Sequence, residues 1–111
     1  MKESTLTTNI LKALRAEGGW WFKVHGGPFQ QAGVPDIVGV FDGVFFGVEV
    51  KLPGRPHPVT KLQRYTLHRI HAARGVAVVV ESVQDALDVI SAPVYQARAK
   101  GLETFEIIQS D

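Results

Sequence analysis

The sequence predicts an α/β fold, a mixed β-sheet flanked by helices, and three observations carry that expectation. Asp42-Gly43 stands between two β-rich runs within Gly33 to Lys51, and such a pair favours a two-residue type I′ turn because both turn residues must accept positive φ. Val76-Ala77-Val78-Val79-Val80 is a continuous apolar run, the pattern of a strand buried on both faces and paired in parallel after a helical crossover. Helical periodicity precedes and follows these strands, so the expected order is α-β-β-β-α-β-α.

The first helix is expected over residues 3 to 17, with Leu6, Ile10, Ala13 and Leu14 on one stripe and Gly18-Gly19 stopping it. Glu3 falls on that stripe, where a carboxylate is unusual, and Glu17 lies on it at the far end. Trp20-Trp21-Phe22-Lys23-Val24 reads as a strand by its aromatic and β-branched content. Trp20, Phe22 and Val24 are expected in the core, with Trp21 and Lys23 outward, and the aromatics are read as packing rather than as base-stacking groups. His25 to Gly33 is a loop that feeds into Pro35-Asp36, in which His25 and Gln31 are candidate phosphate or sugar contacts. Its glycines make no P-loop, since no Gly-Lys-Ser or Gly-Lys-Thr follows, so no nucleotide cofactor is expected.

After Lys51, three prolines in Leu52 to Val59 stop further ladder pairing. Thr60 then caps a helix running to about Ala73, with Leu62, Tyr65, Ile70 and Ala73 inward and Gly75 beyond its end. Gln63 sits in its first turn, near the carboxyl end of the strand carrying Glu49. His68 and His71 have metal-compatible spacing but no evident third ligand, so no zinc site is expected. Ser82-Val83-Gln84-Asp85 begins a further helix through about Ile90, which Pro93 ends. In the tail, Ala-Arg-Ala-Lys reads as helix and Thr104 to Ile108 alternates weakly as a strand, a segment expected to cap the core or make a dimer contact.

Counting outward from the Asp42-Gly43 turn pairs Phe41 with Val44, Val40 with Phe45, Val38 with Gly47 and Asp36 with Glu49. Side chains alternate with period two, so Glu49 and Lys51 share a face and Lys51 lies diagonally beyond Asp36. Two carboxylates directly opposed are destabilising; a pair ~4 Å apart repels by about 4 kcal/mol at an effective dielectric of about 20. A divalent cation held by Asp36 and Glu49 would compensate, with Lys51 beside it to orient a water or meet a phosphate oxygen. The competing reading is a solvated sheet face on which both carboxylates find water.

Composition is that of an ordinary globular chain: 111 residues, 45% hydrophobic, 21% charged and net +1. One domain covering residues 1–111 is expected, with no room for a separate recognition domain. The absence of cysteine excludes disulfides, thiolate zinc sites and cysteine nucleophiles. No signal-like or membrane-length apolar run is present, so no membrane partner is expected and a cytoplasmic location is the default. Charge distribution says more than its sum. Between Val50 and Val80 there is no acidic residue, while Lys51, Arg55, Lys61, Arg64, Arg69 and Arg74 supply six of the twelve Lys and Arg side chains. Placed beside the carboxylate hairpin, this basic segment points to phosphate binding through Arg55, Lys61 and Arg64.

Gly33-Val34-Pro35-Asp36, Val48-Glu49-Val50-Lys51 and Thr60-x-x-Gln63, in this order and spacing, resemble the PD-(D/E)XK nucleases and their VRR-NUC branch over about residues 3 to 90. The resemblance implies a restriction-endonuclease-like core and Mg²⁺- or Mn²⁺-dependent hydrolysis of DNA phosphodiesters. It implies that Asp36, Glu49 and the Val50 carbonyl hold the metal, that Lys51 acts on the nucleophile or the developing charge, and that Glu3 and Gln63 complete the site. Stand-alone domains of this type tend to be homodimers that cut four-way DNA junctions, so a homodimeric Holliday-junction resolvase is the leading expectation. The alternatives are a monomeric flap or nicking nuclease, a non-catalytic DNA-binding module with the nuclease fold, and a purely structural α/β domain, which would leave the basic segment unexplained.

Overall fold

In the computed structural model, which describes residues 1–26, 32–54 and 59–107, eight elements follow the chain. They are α1 (Glu3–Ala16), β1 (Trp20–Lys23), β2 (Ile37–Phe41), β3 (Val44–Val50), α2 (Lys61–Ala72), β4 (Val76–Val80), α3 (Val83–Ser91) and α4 (Val94–Ile107). The four strands form one mixed sheet in the order β1-β2-β3-β4, antiparallel up to β3 and parallel between β3 and β4. The hairpin is as the Asp-Gly signal requires. Asp42 and Gly43 have φ of 52° and 77°, and Phe41 pairs with Val44, Val40 with Phe45 and Val38 with Gly47.

Helices cover both faces of the sheet. On one, Leu6, Ile10 and Leu14 of α1 and Ala86, Val89 and Ile90 of α3 pack with Trp21, Ile37, Phe46, Val48, Val50, Val76, Val78 and Val80. On the other, Leu67 of α2 and Phe105 of α4 pack with Val59, Ala77 and Val79. β4 therefore buries all five residues, as its unbroken apolar run requires. Ser82 caps α3 by accepting from the Asp85 N–H at 3.0 Å. Among the described residues no helix is long and apolar enough to cross a membrane.

Three sequence expectations are corrected. Trp21 is the buried tryptophan, 3% exposed, whereas Trp20 and Phe22 are 61% and 45% exposed. The parity of an all-apolar strand is set by its neighbour: Trp21 pairs with Gly39, where a Cβ would come within 2.3 Å of the indole, so the missing side chain makes the room the ring fills. The indole N–H then donates to the Gly18 carbonyl at 2.9 Å.

In α2, Leu62 and Tyr65 point outward at 48% and 57% exposure, and Ala73 is exposed too, while Leu67 is fully buried. The inward stripe is Gln63, Leu67 and Ile70, at i, i+4 and i+7. The tail is helix throughout residues 94–107, adding a fourth helix where a weak strand was expected over Thr104 to Ile107; Ile108 lies outside the described residues. α4 caps the core as anticipated, running against β4 so closely that a Cβ on Gly101 would lie 2.2 Å from the Ala77 carbonyl oxygen. It covers an edge strand that would otherwise be open to pairing with another chain.

Candidate functional site

The β2–β3 ladder ends at Ile37 opposite Val48. One step further stand Asp36 and Glu49, on the face shared with Lys51. Pro35 has no N–H to continue the ladder, and the Asp36 side chain takes over the pairing: its Oδ2 accepts from the Val50 N–H at 2.8 Å. A residue's N–H and C=O project to the same side of an extended strand, so the Val50 carbonyl opens toward Asp36 as well.

Glu49 is 2% exposed. Burial is the largest influence on its carboxyl, and the Asp36 charge is next; together they push its pKa up to about 8. Lys51 works against them, with Nζ 3.7 Å from Glu49 Oε2. Direct contact with the Asp36 carboxyl and the more distant charge of Glu3 push further upward. Glu49 Oε1 has no hydrogen-bond partner among the described residues. Two facing carboxylates can only accept, so this oxygen is satisfied by a proton or a cation and by nothing else on the Asp36 side.

Gln63 ties the cluster together. Its Nε2 donates to Glu49 Oε2 at 3.1 Å, and its Oε1 accepts from the Thr60 backbone N–H at 2.9 Å and from Lys51 Nζ at 3.4 Å. The Thr60 hydroxyl oxygen in turn accepts from the Gln63 N–H at 3.1 Å, closing a capping box. The cap that starts α2 is thus also the clamp on the buried glutamate. Thr60-x-x-Gln63 is a capping-box signature legible in the sequence, but the second partner of the Gln63 amide is visible only once α2 is folded onto β3.

The donor set matches a small hard cation. Mg²⁺ is held through oxygen, often by one or two carboxylates with water filling the remaining positions. Asp36, Glu49 and the Val50 carbonyl provide such oxygens, and the orphaned Oε1 lacks a partner of the kind a cation would be. Among the described residues no three His, Cys, Asp or Glu side chains converge; Glu3, at the start of α1, adds its charge to Glu49.

The other predicted residues scatter. Lys61 is exposed in the first turn of α2 and Arg64 follows one turn on, half-buried. His25 is exposed, its ring edge-on to Phe22 with centroids 6.5 Å apart. Gln31 and Arg55 lie outside the described residues. His68 and His71 both pack on the Phe105 ring, at 4.6 and 6.3 Å. Burial, then the Arg98 and His68 charges, lower the His71 pKa, an environment suited to joining α2 to α4.

One group of residues escaped the sequence reading. Phe45, Tyr65, Arg69 and Ile70 line a cleft of about 560 Å³ between β3 and α2, and Trp20, Phe22 and Val40 continue its apolar wall across the sheet. The signal was present in the register counted from Asp42-Gly43, which already placed Val40 beside Phe45. Compared with known proteins, the chain matches no family model and no curated protein.

Proposed function

We propose that this chain is a Mg²⁺- or Mn²⁺-dependent deoxyribonuclease that hydrolyses phosphodiester bonds in branched DNA, with a restriction-endonuclease-like core. The observation that carries the reading is Glu49: a carboxyl buried against Asp36, with one oxygen unpartnered among the described residues and a lysine and a glutamine holding the other. Ionising Glu49 in this buried position beside Asp36 is costly without a cation between them. The VRR-NUC resemblance carried by the same residues points to the same chemistry.

Asp36, Glu49 and the Val50 carbonyl would hold the cation. Bound there, it would polarise a phosphate oxygen and acidify a water. Lys51 holds its ammonium at the mouth of the site, its side chain 12% exposed, where it would meet the negative charge that grows on the phosphate during attack. Gln63 fixes the separation of Lys51 and Glu49 through one amide, so that the two groups move as a unit. Lys61 and Arg64 supply positive charge to the strand's backbone from α2.

The substrate expected from the resemblance is a four-way junction cut by a homodimer, because a two-fold pair of sites matches the symmetry of a junction. A monomer cutting flaps or nicks is the alternative. Labelled junction, flap and linear duplex incubated with and without Mg²⁺ separate them, with sedimentation velocity reporting the oligomer. Asp36→Ala and Glu49→Ala are expected to abolish metal-dependent cleavage while DNA binding persists, and Lys51→Ala to slow single-turnover cleavage while calorimetric Mn²⁺ binding stays near parent. Cleavage by Asp36→Ala at the parent rate on all three substrates overturns the mechanism.

A further inference from the structure

Among the described residues, none covers the face of the sheet that carries Asp36 and Glu49 over Trp20, Phe22 and Val40 of β1 and β2. Period-two alternation puts Trp20 and Phe22 of β1, Val38 and Val40 of β2 and Phe45 of β3 on this face, opposite the one packed by α1. Register aligns them in rows: Trp20 beside Val40 beside Phe45, then Phe22 beside Val38 beside Gly47. Trp20, Phe22, Val40 and Phe45 are 61%, 45%, 42% and 42% exposed. The Trp20 and Phe22 rings lie nearly parallel, 6.0 Å apart and inclined by 9°. Contiguous exposed apolar patches rimmed by polar residues mark interaction surfaces.

Its border selects the occupant. Phe45 forms one wall of the cleft whose other wall is Tyr65 and Arg69 of α2. Arg69 donates to the Tyr65 hydroxyl at 3.1 Å, with its guanidinium 5.7 Å from the ring centroid. Lys61 is exposed on the same helix, and α2 contains no acidic residue. A floor of rings beside a cationic bank is complementary to a polyanion whose bases are unpaired. A second copy that met this face with its own α2 would set cation against cation.

We infer that this face binds a single strand of nucleic acid, its bases stacked on Trp20, Phe22 and Phe45 and its phosphates beside Lys61 and Arg69. Asp36 and Glu49 lie on the same face, four residues along from Val40 and Phe45. At ~3.3 Å per strand residue this is roughly 13 Å, or about four stacked nucleotides at ~3.4 Å each. The platform thus leads an unpaired strand to the carboxylates, a step that rests on the nuclease reading and favours the flap alternative over a fully paired four-way junction.

The test is fluorescence anisotropy of the full chain with fluorescein-labelled dT12 and with a blunt linear duplex, in EDTA. Trp20→Ala is expected to weaken dT12 binding roughly 5- to 100-fold, the loss of one base stack, with a much smaller change on duplex. Trp20→Phe should retain most of the affinity, and circular dichroism should be unaltered in both, since the ring is exposed. Unchanged dT12 affinity in Trp20→Ala, or equal losses on dT12 and duplex, overturns the inference. So does a dimer in sedimentation velocity that Trp20→Ala dissociates, since the patch would then be covered by a second copy. Binding in EDTA requires no catalysis, so failure of all metal-dependent cleavage would sink the nuclease reading and leave the dT12 result standing.

Discussion

Glu49 concentrates at one residue the tension that the whole site resolves. Its carboxyl titrates near 8 in the fold against an ordinary value of 4.5, so folding takes up a proton between those limits. A raised value means that this contribution to stability is fully present below about pH 4.5 and is lost as pH rises through 8. In metal-free buffer the parent should therefore lose stability relative to Glu49→Gln as pH climbs across that window, as urea midpoints will report. A bound cation requires the ionised form, so Mn²⁺ binding at pH 6.5 should release about one proton. Calorimetry in two buffers of different ionisation enthalpy counts it, and a count of zero would show that Glu49 is not a ligand.

At the scale of elements, α2 decides whether Gln63 reaches its target. The helix has apolar residues at two competing registers, Leu62 with Tyr65 and Leu67 with Ile70. Only the second turns Gln63 toward Glu49. Leu67, fully buried between α2 and the sheet, should cost roughly 2–5 kcal/mol when cut to Ala. Leu62→Ala, at a site 48% exposed, should cost about 1 kcal/mol or less. Urea unfolding of the two variants checks the assignment, and the reverse ranking would mean that α2 packs by its other face.

Across the whole molecule, charge is divided between sides. The acid-free stretch from Val50 to Val80 includes α2, and the carboxyls Glu81, Asp85 and Asp88 return at and within α3. α2 and α3 pack on opposite faces of the sheet, so the helix without acidic residues shares the face of the carboxylate site and the acidic helix lies on the other. DNA should approach from the α2 side, in a manner steeply dependent on salt. Lys61→Ala is expected to weaken binding to duplexes of every sequence alike and to reduce the log–log salt slope by about 0.9, one phosphate contact. A changed sequence preference with an unchanged slope would place Lys61 on a base instead.

Local chemistry made the hairpin, the buried parallel strand and the carboxylate pair legible from residues alone. Asp42-Gly43 leaves one tight turn, that turn leaves one register, and the register brings Asp36 to Glu49 and Glu49 to Lys51. Thr60 and Ser82 mark helix starts for an equally local reason, since each hydroxyl satisfies an N–H three residues on. Facing was different wherever both parities were apolar. Nothing in Trp20-Trp21-Phe22 says which ring goes inside until Gly39 opens a space across the ladder, and nothing in α2 favours Leu67 over Leu62 until the helix lies on β4. Residues 104–107 alternate as a strand would, yet Gly101 lets their helix close on the edge of β4. Those choices depend on the shape of a neighbour distant in sequence, and with them the tertiary structure alone decided that Gln63 clamps Glu49 and that Trp20 and Phe22 stand open beside it.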